Sequence, residues 1–434
     1  MAESPGAGRS VLEHAALSDV GLRRANNQDS FALALAGDEA EWRRRGHLFM
    51  VADGMGAHAA GELASKMACE SVPHTYRKSP ERSPADALRL AIVAANANIH
   101  ERGQANAEFQ GMGTTSSVLV LLPRAAIVAH VGDSRVYRLR DGHLDQLTFD
   151  HSLVWEMMAA GQMPRGEVAN FIPKNIITRS LGPRPDVQID LEGPYPLAAG
   201  DTFLLCSDGL SGQVKDEEIG AILAALSPAE AVRALVDMAN MRGGPDNVTA
   251  IVVRVTHVPP DEPAPVDTST TVSSSGTPLV QFLWVVMTLG LLVAVALALT
   301  GNLAAALASG LVAAAAAVGA LMSNLMHAQP AATANLAGPY GHGPHATHSG
   351  IPDAQRVAAL SQMAQQLREA AKDEHWTLDW SRFNEFGEQA RAAQAGGDFT
   401  QAVRQYALAI SFMLSEIRRQ PSRKDHRDSS VLDL

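Results

Sequence analysis

The chain has 434 residues, a formal net charge of −11, and 46% hydrophobic against 19% charged residues. That length exceeds one ordinary domain, and the acidic balance argues against a nucleic-acid-binding surface as its main business. With two cysteines, Cys69 and Cys206, it has neither a disulfide framework nor zinc spacing; both read as small buried residues in a reducing compartment.

In chain order, the opening residues MAESPGAGRSVLEHAALSD lack the apolar stretch of a cleaved signal peptide. Residues 10–257 read as one globular domain. The runs FMVAD, SSVLVLL, AAIVAHVGD, TFLLCSD and TAIVVRV predict strands. Helical patterns over 84–102 and 228–241 sit among them, opened by Ser83-Pro84 and Ser227-Pro228. Several strands follow one another with no helix between, which predicts α+β layering rather than a doubly wound parallel sheet. The basic runs Arg43-Arg44-Arg45 and Arg418-Arg419 read as solvated faces, and His130 as a core histidine.

Residues 258–278 form a Pro/Ser/Thr linker that cannot bury a core. The uncharged run 279–299 then reaches the length of about 20 residues that spans a bilayer. A second uncharged run, 303–322, is rich in Ala and Gly and could pack closely on the first, with Gly301-Asn302 as the hairpin tip. A transmembrane hairpin and a buried helical hairpin in a soluble unit are the competing readings. No Lys or Arg stands between Arg254 and Arg356, so loop charge does not orient the pair.

Residues 323–352 read as a flexible linker in which His342, His345 and His348 are solvated rather than metal-binding. Helical periodicity returns over 353–420. There Ala390, Ala393, Gly397, Asp398, Phe399, Ala402, Tyr406 and Ala409 resemble one tetratricopeptide-type helix pair; a generic helical hairpin or self-association motif fits as well. Residues 421–434 predict a disordered tail.

The chemistry gathers where apolar strands stop. Asp53 follows FMVA, Asp133 follows IVAHVG, Asp208 follows FLLCS, and Asp246 stands just before VTAIVVRV. Strand ends on one rim of a packed sheet can bring such carboxylates together, and they remain ionised only with positive charge between them. Oxygen donors without clustered Cys or His select Mg²⁺ or Mn²⁺, and the carbonyl of Gly54 is a further candidate donor.

These residues resemble the metal-dependent protein phosphatase family of type 2C. The ordered series runs from Ser18-Asp19-Val20-Gly21 and Arg24-Ala25-Asn26-Asn27-Gln28-Asp29-Ser30 to Asp53-Gly54-Met55-Gly56-Ala57-His58 with Gly61-Glu62 and Ala64-Ser65. It continues through Gly111-Met112-Gly113-Thr114-Thr115, Gly132-Asp133-Ser134-Arg135, Asp150-His151-Ser152 and Thr178-Arg179-Ser180-Leu181-Gly182. Ser207-Asp208-Gly209-Leu210 and Gly244-Pro245-Asp246-Asn247-Val248-Thr249 close it.

The resemblance implies a four-layer αββα sandwich that hydrolyses phosphoserine and phosphothreonine in proteins. It implies two Mn²⁺ or Mg²⁺ ions near Asp53, the Gly54 carbonyl, Asp208 and Asp246, a third near Asp133, and water-mediated contacts from Gln28 and Asp29. A water activated by the ions attacks phosphorus in line, Arg24 binds phosphate, and Val154 to Asn175 forms a flap beside the site. Gln28 stands where the family usually has Glu, which predicts weaker binding of one metal. Ala57 replaces a usual glycine, and His58 reads as structural. The expected whole is an inner-membrane phosphatase facing the cytoplasm, partnered by phosphoproteins and a cognate kinase, with 353–420 recruiting a partner or a second copy. A catalytically impaired phosphatase fold acting as a phosphoprotein-binding scaffold is the alternative, favoured by Gln28 alone.

Overall fold

The computed structural model describes residues 12–57, 59–81, 83–162, 176–260, 339–374, 376 and 378–419, together with the isolated positions 293, 299, 300, 309 and 314. One compact unit joins Met1–Pro259 to Leu336–Leu434, and Pro260–Asn335 forms another. The apolar runs 279–299 and 303–322, the linker 261–278 and the tail 421–434 lie outside the described residues, apart from those isolated positions. Among the described residues no helix is long and apolar enough to cross a membrane.

Two antiparallel sheets face each other. One runs β1 (Leu12–Asp19), β11 (Val248–Val255), β10 (Thr202–Cys206), β7 (Arg135–Arg140), β8 (His143–Gln146), β12 (Ala346–Ser349). The other runs β2 (Asp29–Ala34), β3 (His47–Met55), β5 (Ser116–Leu121), β6 (Ala125–Val131), β9 (Asp190–Pro196), with the short β4 (Gly113–Thr114) on β3. The central strands β3, β5, β6, β10 and β11 are apolar on both faces because each face is covered. In β3, Phe49 and Val51 enter the core between the sheets, where they meet Phe203, Leu205, Ile251 and Val253. The alternate residues Leu48, Met50 and Ala52 pack beneath α2 (Ala60–Lys78) and α3 (Pro84–Ala105). On the far side, Leu204, Cys206, Ala250 and Val252 pack under α6 (Asp216–Ala225) and α7 (Pro228–Met241). Both cysteines are free and buried. The layering is the expected αββα.

Two expectations are corrected here. The C-terminal helices α8 (Ala354–Asp373), α9 (Trp380–Ala395) and α10 (Phe399–Arg418) are not a separate region. α10 packs on α6 and α7, and Val403, Ala407 and Ile410 share one continuous core with Leu235 and Met238. A lone helix pair cannot bury its own apolar face, and α7, buried at most of its positions, supplies the missing surface. Arg404 Nη2 seals the seam on Glu230 Oε1 at 2.6 Å.

The second correction concerns 323–352, whose described part, 339–352, is a strap rather than a flexible linker. Ala346 to Ser349 pair with Gln146 to His143, and Tyr340 exchanges backbone hydrogen bonds with Gly193. Open sheet edges capture polar sequence through the backbone alone. His345 Nε2 lies 2.9 Å from Glu192 Oε1, and His348 lies 3.4 Å from Asp216 Oδ2, so neither is a solvated linker histidine. Nor is every basic run solvated. Arg45 is buried, donating to the carbonyls of Ser79 and Glu81 beneath the Tyr76 ring, and Arg418 meets Asp237.

Candidate active site

The acids stand at one rim of the sandwich because the sheet order brings their strand ends together. Asp29 opens β2 directly opposite Asp53 of β3. β10 and β11 are neighbours, so Asp208, just past β10, and Asp246, just before β11, emerge side by side. Asp133 follows β6 in the turn to β7.

Both Asp-Gly pairs have a steric cause. A Cβ on Gly54 would lie 2.1 Å from the Gly61 carbonyl oxygen and 2.7 Å from that of Gln28. A Cβ on Gly209 would lie 1.9 Å from the carbonyl oxygen of Asn247. Another backbone crosses at each position, and only glycine admits it. Asp53 is fixed by its own main chain. Its N–H donates to Thr115 Oγ1 at 2.8 Å, and its carbonyl accepts from Thr115 N at 2.8 Å and Thr114 Oγ1 at 2.9 Å.

The electrostatics record the crowding. Burial pushes the Asp53 carboxyl well above the usual range, and Asp29, Asp208, Asp133 and Asp246 push it further. Asp29 rises to about 7, chiefly by burial, although Ser207 Oγ donates to its Oδ2 at 2.7 Å. Asp133 rises to about 8, through burial and then Asp208. Burial and then Asp246 raise Asp208.

Arg24 reaches this rim from the loop after β1, and its Nη2 donates to Asp246 Oδ2 at 2.7 Å. The Gln28 side-chain amide donates from Nε2 to the Gly56 carbonyl at 3.4 Å, and the Gln28 backbone carbonyl accepts from Ser65 Oγ at 2.6 Å. Beside Asp133 and Asp208 a cavity of about 290 Å³ opens, walled by Arg135, Asp150 and by Trp155 and Met158 of α4 (Leu153–Ala159). Arg135 grips Asp150 through Nε and Nη2, at 2.7 Å for the shorter contact to Oδ2. Among the described residues Asp141 is the sole non-glycine with positive φ, so Ala57 sits without strain. His130 is a core residue between Ser117 Oγ and the Gly132 carbonyl, both at 2.9 Å. His58 and flap residues 163–175 lie outside the described residues.

Sequence reasoning gave no role to the residues that hold the acids in place. Asn247 Oδ1 accepts from Gln28 N at 2.8 Å while its Nδ2 donates to the carbonyls of Val20 and Asn26, tying the Arg24 loop to the Asp246 loop. Ser207 and Ser65 act likewise. Their signal was adjacency to the quoted acids and motifs; their partners became visible only in the folded chain.

Among the described residues, no three His, Cys, Asp or Glu side chains already converge on one point as a metal-ligand group. The donor chemistry nonetheless fits a hard cation. The set is all oxygen, Asp29 Oδ1, Asp133 Oδ1 and Asp208 Oδ1 are buried without a hydrogen-bond partner, and their mutual repulsion is relieved by positive charge.

Known proteins are similar to this chain over the region that holds the acids. The family model described as "Protein phosphatase 2C" matches residues 23–246, just over half of the chain and the whole span from Arg24 to Asp246. A putative protein phosphatase 2C-type of Streptococcus pyogenes is 39% identical over 240 residues, 54% of this chain and 94% of that protein. Protein phosphatase PhpP of Streptococcus pneumoniae is 38% identical over 247 residues, 56% of this chain and 97% of that protein. The crystal structure of the Mycobacterium tuberculosis serine/threonine phosphatase PstP/Ppp superposes with a TM-score of 0.51 at 38% identity, over 57% of this chain and 100% of that one. With Arg24, Asp29, Asp53, Asp133, Asp208 and Asp246 all inside the matched residues, the chain belongs to the protein phosphatase 2C family and is a metal-dependent serine/threonine protein phosphatase.

Proposed function

We propose that the chain dephosphorylates phosphoserine and phosphothreonine in the protein targets of a cognate kinase, from a position tethered to the inner membrane with its catalytic unit facing the cytoplasm. The observation that carries the site assignment is the gathering of Asp29, Asp53, Asp133, Asp208 and Asp246 at one rim, with three buried carboxylate oxygens lacking partners. Asp53, the Gly54 carbonyl, Asp208 and Asp246 would hold two Mn²⁺ or Mg²⁺ ions, and Asp133 a third. Bound there, the cations supply a low-pKa water and offset charge on the transferring phosphoryl group.

The chain's own residues do the rest. Arg24, half-exposed beside Asp246, offers its planar fork to phosphate oxygens. Asn247 keeps the Arg24 and Asp246 loops in register, so the phosphate-binding group and the acids stay together. Asp29, held by Ser207, places a carboxylate beside Asp53 that can orient or accept a proton from an attacking water. Gln28 keeps an oxygen acceptor at the rim but contributes no charge. The membrane tether rests on the uncharged run 279–299, long enough to span a bilayer, and on the Ala/Gly-rich run 303–322.

The test is Mn²⁺-dependent hydrolysis of a phosphothreonine peptide by the full chain. Asp53→Ala should lose at least about a hundredfold in turnover, and Gln28→Glu should lower the Mn²⁺ concentration required. Turnover no higher than that of Asp53→Ala would leave a phosphoprotein-binding scaffold as the better reading. Carbonate-resistant membrane association, abolished by deleting residues 279–322, tests the tether.

A further inference from the structure

The outermost helices leave a groove between them. α8 and α9 both pack on α10, and the channel between them has Tyr406 and Ala409 of α10 in its lining. Two adjoining cavities of about 440 and 420 Å³ share Arg368, Lys372 and Asn384. Arg368 and Lys372 are one turn apart on α8, and Arg391 faces them from α9. All three are exposed, and among the described residues none is paired with a carboxylate. The groove has one acid, Glu369, which accepts a hydrogen bond from Gln365 of the same helix at 3.1 Å. A surplus of cations stands out on a chain whose net charge is −11. One end is walled by half-buried Trp376 and Trp380.

A second observation is independent of charge. Gly387 lies in the middle of α9 and lines the groove. Mid-helix glycine costs about 1 kcal/mol relative to alanine. No packing requires it, since a Cβ there would meet only Arg391 Nη1, at 3.5 Å. A glycine without a packing reason opens the wall to a close backbone approach.

We propose that this groove docks an extended acidic segment of a partner protein. Carboxylates meet Arg368, Lys372 and Arg391, and an apolar side chain enters between Trp376 and Trp380. The lining of α8 from Ser361 to Lys372 is about 16 Å long at 1.5 Å per residue, which matches roughly five extended residues. The binding surface belongs to the outer helical layer and does not depend on the chemistry at the carboxylate rim.

The experiment titrates the full chain, in detergent, against a fluorescein-labelled peptide Asp-Glu-Leu-Glu-Asp-Leu, with Lys-Lys-Leu-Lys-Lys-Leu as control, by fluorescence anisotropy. The acidic peptide should saturate with a Kd below about 100 µM and weaken with salt. Arg368→Glu with Lys372→Glu should cost at least about tenfold in affinity. Gly387→Leu, which fills the channel, should do the same, and Arg391→Glu reports on the site should the leucine variant misfold. Phosphatase activity and thermal midpoint should stay unchanged in the charge variants. No saturation up to about 1 mM, equal binding of the lysine peptide, or an affinity indifferent to these substitutions would overturn the proposal.

Discussion

Arg24 donates from Nη2 to Asp246 Oδ2 at 2.7 Å, joining residues 222 apart in sequence. The side chains are 49% and 32% exposed, so water screens the pair and it can exchange partners readily. A phosphate arriving at the rim competes for the same guanidinium. Arg24→Ala should therefore leave the fold intact, raise KM for a phosphopeptide by about tenfold, and change kcat less. Arg24→Lys should recover part of the loss, because it restores charge without the bidentate fork. Steady-state kinetics at saturating Mn²⁺ decides; an unchanged KM would remove Arg24 from phosphate binding.

The crowded carboxylates make metal binding depend on pH in a definite direction. Asp29 is raised to about 7 and Asp133 to about 8, each mainly by burial. A folded-state pKa above the unfolded value means that these groups favour folding when protonated. Their contribution to metal-free stability is therefore fullest below about pH 4 and declines as pH rises to about 8. Cations bind the ionised forms, so added Mn²⁺ should raise the thermal midpoint more at pH 8 than at pH 5. At a hundred times its Kd, Mn²⁺ contributes about 2.7 kcal/mol. Thermal melts with Mn²⁺ and with a chelator, at both pH values, test it; equal shifts would count against cation binding at these acids.

The acids were legible in the sequence because each ends or begins an apolar strand, and the alternation of Leu48, Phe49, Met50 and Val51 announced a strand covered on both faces. What the pattern lacked was partnership. That Ser207 donates to Asp29, 178 residues away, depends on sheet order, which local periodicity does not encode. The strap was missed because β12 joins its sheet through backbone hydrogen bonds, which leave no apolar pattern to read. The C-terminal helices were recognised as a pair, but not the surface they cover. The clue was α7, apolar on more faces than one sheet could bury.

The strap makes a prediction against helix propensity. Gly220 lies within α6, where alanine would ordinarily gain about 1 kcal/mol. A Cβ at this position would lie 2.5 Å from the Cα of Gly350 in the strap. Gly220→Ala should therefore destabilise the chain by about 1–3 kcal/mol, the usual range for overpacking. It should also make the 339–352 backbone more accessible to hydrogen exchange. Stabilisation with unchanged exchange would show that the strap does not rest on α6.

The seam between α7 and α10 holds a buried acid whose charge works against folding. Asp237 is 1% exposed, and Arg418 Nη2 lies 3.0 Å from its Oδ1, yet neither carboxyl oxygen has a well-formed hydrogen bond. Burial lifts its pKa to about 6, against the opposing pull of Arg418. The folded value is the raised one, so the stability contributed by the protonated group is complete below about pH 4 and is lost as pH climbs to about 6. Asp237→Asn cannot ionise. Its stability relative to the parent chain should rise across that window by on the order of 2–3 kcal/mol, about two pKa units. Urea denaturation of both proteins at low and neutral pH isolates this difference, because every other titrating group is common to the pair. If the asparagine variant instead falls behind as pH rises, the ion pair with Arg418 outweighs the burial of the charge, and the end of α10 is held on α7 by attraction rather than by packing alone.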